Sequence, residues 1–257
     1  MTTIDKSFAI LQALADNGPR VPLARLQQLT EFPKPTLYRM LRTMVDHGWV
    51  RQDSVGTYSV GTHLFTMAGR VYRHFALPPA TRQILVDLQS EAPETLHVSA
   101  FRHGQLFYVE KLEAPHPYQM ASRVGKMQAL HSSAIGKAVL ALLSPAEAQE
   151  LLDVLELTPI TESTIVDAAQ LYASLQDIRE LGYAVDDEED EEGLRAIGAA
   201  ICDSSGAPTG GVSIVAPSFQ MSVDQARTYV PALLRAARQL EDLAYPGRVS
   251  LLSSPKT

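Results

Sequence analysis

The segment Phe32-Pro33-Lys34-Pro35-Thr36-Leu37-Tyr38-Arg39-Met40-Leu41-Arg42-Thr43-Met44 carries the clearest structural pattern in the chain. Apolar residues recur along it at the three- and four-residue spacing of one helix face, namely Leu37, Leu41, Met44 and the following Val45. This spacing predicts a helix from Lys34 to Asp46, with Gly48 as its left-handed terminator. The opposite face is polar and contains Lys34, Thr36, Tyr38, Arg39, Arg42 and Thr43.

Two shorter helices are predicted before this segment. The first follows a cap at Asp5 or Ser7, ends at Gly18-Pro19, and has an apolar face made of Phe8, Leu11, Leu14 and Ala15. The second begins at Pro22, ends before Phe32-Pro33, and has an apolar face made of Leu23, Leu26 and Leu29. After the segment, Trp49–Gln52 and Thr57–Val60 predict two strands joined by a turn at 53–56. Three helices and a two-stranded wing predict a winged helix-turn-helix.

This arrangement predicts contact with DNA. A helix in a major groove needs one face that reaches bases and phosphates while its other face stays in the core. We therefore expect DNA contacts from the polar face of the third helix, at Lys34, Thr36, Tyr38, Arg39, Arg42 and Thr43. In the wing, we expect Arg51, Gln52 and Thr57 to reach phosphates or the minor groove. For the third helix, the alternative is an amphipathic helix whose polar face is only solvated. For Arg51, the alternative is that it neutralises Asp53.

The charge distribution agrees with a polyanionic partner at one end of the chain. The 257 residues have a formal net charge of −7. Residues 1–75 hold nine Lys or Arg and five acids, a charge of +4, so the remaining residues must carry −11. A basic head on an acidic body is the electrostatic pattern expected when the head meets nucleic acid.

Beyond the wing, the pattern predicts a linker helix from Thr62 to Phe75, broken by Leu77-Pro78-Pro79. Mixed elements follow. Strands are expected at 95–101, 105–111, 183–185, 195–202 and 208–215, and helices at 80–90, 133–143, 145–155, 167–181 and 223–243. An antiparallel sheet packed against helices is the economical interpretation, which places this part of the chain in the α+β class.

Several function classes are not expected. No stretch approaches the roughly 20 apolar residues of a membrane span, and residues 1–6 do not resemble a secretory signal, so we expect a cytoplasmic protein without membrane contact. Cys202 is the single cysteine, which rules out an intrachain disulfide and a multi-cysteine zinc site. The histidines lack the paired spacing of zinc ligands, and the acidic run 186–192 is interpreted as a solvated loop rather than a divalent-metal site. No metal and no cofactor are therefore expected.

Enzymatic chemistry is not predicted either. Ser133 and Lys137 are four residues apart, whereas the serine-lysine hydrolase motif needs three, so Ser133 is expected to cap a helix. Gly136-Lys137 lacks the earlier glycine of a phosphate-binding loop. The competing function is a metabolic enzyme or a constitutive ligand-binding protein whose basic head serves only in assembly.

Six stretches resemble the IclR family of bacterial transcriptional regulators. In the head they are 6–14 (Lys-Ser-Phe-Ala-Ile-Leu-Gln-Ala-Leu), the segment 32–44 and Gly48-Trp49-Val50. In the body they are 130–138 (Leu-His-Ser-Ser-Ala-Ile-Gly-Lys-Ala), 182–189 (Gly-Tyr-Ala-Val-Asp-Asp-Glu-Glu) and 193–201 (Gly-Leu-Arg-Ala-Ile-Gly-Ala-Ala-Ile). The resemblance covers about residues 4–245 in the family's order and spacing.

The resemblance implies a domain plan and partners. It implies a winged helix-turn-helix at 1–61, a linker helix at 62–78, a GAF-like α/β domain for effector binding and oligomerisation at 79–245, and a flexible tail at 246–257. It also implies homodimers formed through heads and linker helices, often tetramers, on palindromic operator DNA. The function implied is ligand-responsive control of transcription, commonly of a catabolic operon, by a small organic acid or an aromatic metabolite.

The family's effector contacts fall on seven positions of this chain. These are Ala134, Ile135, Asp186, Leu194, Ala196, Ser213 and Val215. Two of them depart from the family pattern, since Ala196 replaces a cysteine common in relatives and Val215 replaces a second serine. Both changes favour a larger or partly aromatic carboxylate over a small polar acid such as glyoxylate. Strand alternation alone leaves open whether Leu194, Ala196, Ser213 and Val215 line a ligand cavity or form part of the core.

Overall fold

A computed structural model describes residues 1–72, 77–116 and 120–244. The chain divides into two compact units, Met1–Ala76 and Leu77–Thr257. The finer boundaries expected at 61, 78 and 245 stay predictions, and the tail expected at 246–257 lies outside the described residues. No helix within the described ranges is long and apolar enough to cross a membrane.

The first unit is a winged helix-turn-helix, as predicted. It contains α1 (Thr3–Asn17), β1 (Val21–Pro22), α2 (Leu23–Thr30), α3 (Lys34–Asp46), β2 (Val50–Gln52), β3 (Thr57–Val60) and α4 (Thr62–Tyr72). The three strands form an antiparallel sheet in the order β1-β3-β2. Its core joins α1, α2 and α3 through fully buried Ile10, Leu14, Leu26, Leu37 and Leu41.

Some local predictions in this unit were wrong. The cap of α1 is Thr2 rather than Asp5 or Ser7, and Asp5 instead completes a capping box with Thr2. The two-residue strand β1 was not anticipated, and Met40 is buried whereas Val45 is only half-buried. Of the linker helix expected to reach Phe75, the structure describes the part that ends at Tyr72.

The connection between the wing and α4 is tightly built. Gly48 has φ of +71°, as predicted, and the Gly61 amide donates to the Trp49 carbonyl at 2.7 Å. A Cβ atom at Gly61 would lie 2.1 Å from the Gly48 carbonyl oxygen, so no larger residue fits without a backbone shift. The rings of Trp49 and His63 lie 5.9 Å apart beside this contact. The start of α4 is therefore held against the end of α3 and the wing.

The second unit is an α+β domain, as predicted. Its elements are α5 (Ala80–Glu91), β4 (Thr95–Arg102), β5 (Gln105–Leu112), β6 (Met127–Gln128), α6 (Ala134–Leu142), α7 (Pro145–Val154), α8 (Ala168–Leu181), β7 (Ala184–Asp187), β8 (Leu194–Cys202), β9 (Pro208–Pro217) and α9 (Val223–Ala244). One antiparallel sheet has the order β6-β5-β4-β9-β8-β7. Helices α6 and α8 pack on it through one core, and α5 and α9 pack against each other and the sheet. The strand β6 was not anticipated.

The start of α6 lies unusually close to the sheet. Ser133 caps the helix, since its hydroxyl accepts from the Gly136 amide at 3.1 Å. Two glycines make room for the helix: a Cβ at Gly198 would lie 2.7 Å from the Ile135 nitrogen, and a Cβ at Gly211 would lie 2.5 Å from Ile135 Cγ2. Because these positions lack side chains, the first turn of α6 can approach β8 and β9 directly.

Candidate functional site

The first candidate surface is the polar face of α3, which we call the recognition face. Lys34, Tyr38, Arg39, Arg42 and Thr43 are exposed, and Thr36 is half-buried. The opposite side of the helix is fixed in the core by Leu37, Met40, Leu41 and Met44. Tyr38 is 55% exposed although it is aromatic, so its ring does not pack into the core of its own unit. The face is free to enter a groove.

The arginines of this face have no acidic partner. Neither Arg39 nor Arg42 forms an ion pair with the residues that the structure describes. Thr43 is partly engaged, because its hydroxyl donates to the Arg39 carbonyl at 3.2 Å. Two unpaired guanidinium groups one helical turn apart suit the bidentate recognition of phosphates or guanine edges.

The alternative interpretation of the wing, in which Arg51 neutralises Asp53, is not what the structure shows. Asp53 is held by its own turn and not by Arg51, since Asp53 accepts from the Thr57 hydroxyl at 2.6 Å and from the Thr57 amide at 2.8 Å. The hydrogen bond from the Thr57 side chain is the largest cause of the lowered pKa of Asp53. Thr57 therefore shapes the turn, while the exposed Arg51 has no ion pair within the described chain. Gln52 is exposed and donates to the Tyr58 hydroxyl at 3.0 Å.

The second candidate site is a small cavity of about 40 Å³ in the second unit, which we call the sensor cavity. It lies between the first turn of α6, the strands β8 and β9, and the start of the β7–β8 loop. All seven positions singled out from the sequence line it: Ala134, Ile135, Asp186, Leu194, Ala196, Ser213 and Val215. Four of them form an apolar patch together with Met120. The structure thus brings together residues from four separate elements.

The rest of the lining was missed by the sequence analysis and is mostly polar. It comprises Met120 and the polar residues His97, Tyr108, Ser122, Lys126, Gln128, Ser133, Asp190 and Glu191. A signal was present in β4, where buried Thr95, His97 and Ser99 alternate with Leu96 and Val98. Polar residues at every second position of an interior strand indicate a face turned to something other than ordinary core.

Several polar atoms of the cavity lining, Ser213 Oγ and Asp186 Oδ2 among them, make no hydrogen bond within the described residues. Ser213 is 3% exposed, yet its hydroxyl makes no hydrogen bond with any residue in the described ranges. Asp186 Oδ1 accepts from the amides of Glu189 at 2.8 Å and Asp190 at 3.2 Å, whereas its Oδ2 has no such bond. Burial, and then the charge of Asp190, raises the pKa of Asp186 to about 7. Ser213 and Asp186 therefore retain unused hydrogen-bonding capacity.

The wall formed by β4 and β5 contains two uncharged rings. His97 Nε2 is hydrogen-bonded to the Ser122 hydroxyl at 2.8 Å, and its ring lies 4.4 Å from that of Tyr108. Burial lowers the pKa of His97 to about 3 and raises that of Tyr108, so both rings are uncharged at neutral pH. They offer dipoles rather than charges to a ligand.

The acidic run 186–192 is only in part the solvated loop that was expected, because Asp187, Glu191 and Glu192 are exposed whereas Asp186 and Glu189 are buried. Glu189 is 8% exposed and forms a buried ion pair with Lys137 of α6. The Ser132 hydroxyl donates to Asp190 Oδ1 at 2.6 Å, and the Thr164 hydroxyl donates to the Glu189 carbonyl at 2.7 Å. Composition predicted solvation, but these partners lie 25 to 58 residues away in sequence, where no local pattern reveals them. The loop forms part of the cavity wall.

Ser133 and Lys137 are both engaged in structural contacts. The Ser133 hydroxyl caps α6 and donates to the Ala129 carbonyl at 2.6 Å, while Lys137 is paired with Glu189 rather than with a serine. Among the described residues, no group of three or more His, Cys, Asp or Glu is arranged to hold a metal ion.

Comparison with known proteins matches both parts of the chain to domain families. The model of the IclR helix-turn-helix domain matches residues 3–54, and that of the bacterial transcriptional regulator IclR C-terminal domain matches residues 69–242. The HTH-type transcriptional regulator KdgR of Escherichia coli (strain K12) is 33% identical over 93% of this chain and 91% of its own length. These relatives regulate transcription and are not enzymes.

Two solved structures share the fold over most of the chain. The crystal structure of the Thermotoga maritima IclR superposes with a TM-score of 0.77 at 30% identity, covering 95% of this chain and 99% of that one. An IclR homolog from Microbacterium hydrocarbonoxydans, complexed with 4-hydroxybenzoate, shares the fold with a TM-score of 0.74 at 21% identity, covering 95% of this chain and 99% of that one. From the two family models, the full-length relative and the shared fold, we conclude that this chain belongs to the IclR family of DNA-binding transcriptional regulators.

Proposed function

We propose that this regulator senses a small organic carboxylate in the sensor cavity and thereby controls a catabolic operon through a palindromic operator. The observation that carries the proposal is that seven positions, chosen from family motifs spread over 82 residues, line one cavity. Residues that served only packing would not be expected to surround a common space with unpaired polar groups.

A carboxylate suits the entrance of α6. The amides of Ala134 and Ile135 make no hydrogen bond to the described chain, because they belong to the first turn of the helix. Such amides, with the positive end of the helix dipole behind them, favour an anion. Lys126, exposed at the same cavity, adds a positive charge. The carboxylate is therefore proposed to lie at this end.

An aromatic acid is the second candidate. Met120, Leu194 and Val215 form the apolar part of the cavity, which suits the face of a ring. The homolog complexed with 4-hydroxybenzoate is an example from the same fold. The change from hydroxyl or thiol to methyl groups at Ala196 and Val215 favours the same candidate.

DNA binding is proposed to use two copies of the recognition face in a homodimer, or in a tetramer built from dimers. Two heads related by two-fold symmetry match a palindrome. The effector shifts DNA affinity only by its different affinity for two arrangements of the heads, and α4 is proposed to transmit the change.

The experiment is a salt titration of binding to the DNA upstream of the protein's own gene, with and without added acid. We expect a sequence-preferring complex whose affinity falls with salt and changes with the effector. A complex that shows no sequence preference would reject the operator proposal. It would leave the alternative of a ligand-binding protein whose basic head serves only in assembly.

One residue tests the recognition face. Arg39→Ala should weaken operator binding by about 1 to 3 kcal/mol if Arg39 contacts a base edge. Arg227→Ala, which removes an exposed arginine from α9, is the matched control and should leave the affinity unchanged. Equal affinities of the Arg39 variant and the parent would remove Arg39 from the interface.

A further inference from the structure

We propose that residues 120–126 form a strap that opens and closes over the sensor cavity, and that Lys111 is the positioning residue that fastens it. The role of the strap rests on the sensing function proposed above, but it does not depend on which acid binds. Lys111 itself does not line the cavity, so it acts through the strap and not through contact with a ligand.

The sensor cavity is too small for the proposed ligand while the strap is closed. Its volume is about 40 Å³, whereas an engineered protein cavity that takes up benzene has a volume of about 150 Å³. An aromatic carboxylate is larger than benzene, and an aliphatic acid of a few carbons approaches its size. At least one wall of the cavity must therefore move before such a ligand can enter.

Most of the cavity wall is held by regular structure or by several long-range contacts. The strands β8 and β9 lie inside the sheet, each between two neighbours. The first turn of α6 packs directly on them, because two glycines leave room for it. The β7–β8 loop is bound to the rest of the domain by the Lys137–Glu189 ion pair and by the hydroxyls of Ser132 and Thr164. Movement of these parts would disrupt the sheet or break several contacts at once.

The strap has fewer attachments. All seven of its residues are described, and none belongs to a helix or strand. At one end it pairs with β5, where the Gly125 amide donates to the Tyr108 carbonyl at 2.8 Å and the Tyr108 amide donates to the Lys126 carbonyl at 3.1 Å. Nearer its other end, the Ser122 hydroxyl is hydrogen-bonded to His97 Nε2 of β4 at 2.8 Å. The strap therefore crosses the face of β4 and β5 that lines the cavity.

Met120 carries the strap across the cavity. Its side chain is 8% exposed and packs in one apolar patch with Ala134 of α6, Leu194 of β8 and Val215 of β9. Met120 thus connects the β4–β5 side of the cavity to the side formed by α6, β8 and β9. Displacement of the strap would remove Met120 from this patch and leave the cavity open there.

Lys111 is the main fastening of the strap. It lies opposite His97 in the pairing of β4 with β5. Its Nζ donates to the carbonyls of Met120 and Ser122, each at 2.9 Å, and meets Glu113 Oε1 at 2.8 Å. An ammonium has three N–H donors, so all of them are used and two of them hold the strap. The Lys111 side chain is only 9% exposed, and bonds from a charged donor are stronger than neutral ones.

Oxidation of methionine by hydrogen peroxide measures the opening, because a thioether must be accessible to react. Met120 reports on the strap, while Met127, at 49% exposure, is the fast reference and Met221, at 0%, is the slow one. In the full-length protein we expect Met120 to be oxidised about fivefold faster than Met221 or more, since local opening exposes it. Mass spectrometry of peptides gives the three rates. Equal rates for Met120 and Met221 would overturn the proposal.

Variants of Lys111 test the fastening. Lys111→Leu should raise the oxidation rate of Met120 by about fivefold or more, because two strap carbonyls lose their donor. Lys111→Arg keeps the charge and the donors and should return the rate towards that of the parent. Arg238→Leu removes an exposed cation from α9 and should leave the rate unchanged. An unchanged rate in Lys111→Leu, or equal rates in the Leu and Arg variants, would exclude this role of Lys111.

Local opening must be distinguished from unfolding of the whole unit. If Lys111→Leu merely destabilised the second unit, the fully buried Met221 would also be oxidised faster. We expect the rate for Met221 to stay within about twofold of the parent value while the rate for Met120 rises. Equal increases for both methionines would assign Lys111 to general stability and reject the strap.

Failure of the strap and failure of the sensing role give different results. If Met120 is exposed as expected but no added acid alters the operator complex in the salt titration, the opening of the strap stands and the sensing role falls. If an acid alters the operator complex while Met120 stays as protected as Met221 even in Lys111→Leu, the sensing role stands and the strap falls.

Discussion

At the scale of single residues, the buried ion pair of Lys137 and Glu189 has the largest expected effect on stability. Both side chains are almost fully removed from water, and Glu189 Oε2 has no partner of its own among the described residues. The pair joins α6, which supplies two of the seven predicted effector contacts, to the β7–β8 loop, which contributes Asp190 and Glu191 to the cavity lining. The desolvation of this ion pair therefore lowers the stability of the part of the domain that forms the cavity.

Lys137→Met should destabilise the second unit by about 3 to 5 kcal/mol, because it leaves a buried carboxylate unpaired. The combined change with Glu189→Leu should cost less, because both charges are then removed. Urea unfolding followed by far-ultraviolet circular dichroism measures both variants. If the double variant were less stable than Lys137→Met, the unpaired carboxylate of Glu189 would not explain the destabilisation of the single variant.

Asp186 predicts a pH dependence of the same unit. Its pKa in the folded protein, about 7, lies above the ordinary value of 3.8. The protonated carboxyl therefore favours the folded state, and this contribution is lost as the pH rises from about 4 to about 7. Asp186→Asn should become more stable relative to the parent over that interval. The exposed Asp177→Asn is the control, and parallel stability curves for Asp186→Asn and the parent would contradict the assignment.

At the scale of elements, the amount that sequence could predict depended on periodicity. Long amphipathic elements such as α3 and α8 were predicted within a residue or two, because their apolar spacing is repeated several times. The strands β1 and β6 have two residues each and no period to detect. The seven predicted cavity positions came from motifs, whereas His97 and Tyr108 came into the cavity only through the pairing of β4 with β9 and β5.

The glycine contact between the wing and α4 gives a prediction for these elements. Gly61→Ala should destabilise the first unit by about 1 to 3 kcal/mol, as overpacking does, because its methyl group meets the Gly48 carbonyl. Gly69→Ala lies in the middle of α4, where an added methyl group would meet no heavy atom within 4 Å. It should instead stabilise the unit by roughly 0.5 to 1 kcal/mol. Thermal unfolding of both variants measures these changes, and we expect the melting temperature to fall for Gly61→Ala and to rise for Gly69→Ala.

At the scale of the whole molecule, the uneven charge distribution controls how the protein meets DNA. A head of +4 is attracted to phosphates, while a remainder of −11 is repelled by them. Composition revealed this contrast without any knowledge of the fold. Which cations are exposed and unpaired had to come from the structure, as with Arg51, which is exposed while Asp53 is bound by Thr57.

Arg51→Gln should reduce the slope of log affinity against log salt by about 1 per head, if Arg51 neutralises one phosphate. The loss of affinity should be similar for operator and unrelated DNA, because a phosphate contact carries no sequence information. Arg238→Gln, in α9, is the control for charge alone. An unchanged slope in the Arg51 variant would exclude the proposed wing contact.

The contact of Trp49 with His63 has a practical consequence for studying this regulator. Trp49 is the single tryptophan of the chain, and it lies where the wing meets the first turn of α4. Indole emission therefore reports on the head alone and needs no attached dye. Any rearrangement that effector binding causes at this junction should change that emission. Fluorescence titration of the unlabelled protein with the effector can therefore detect a conformational change at the DNA-binding end.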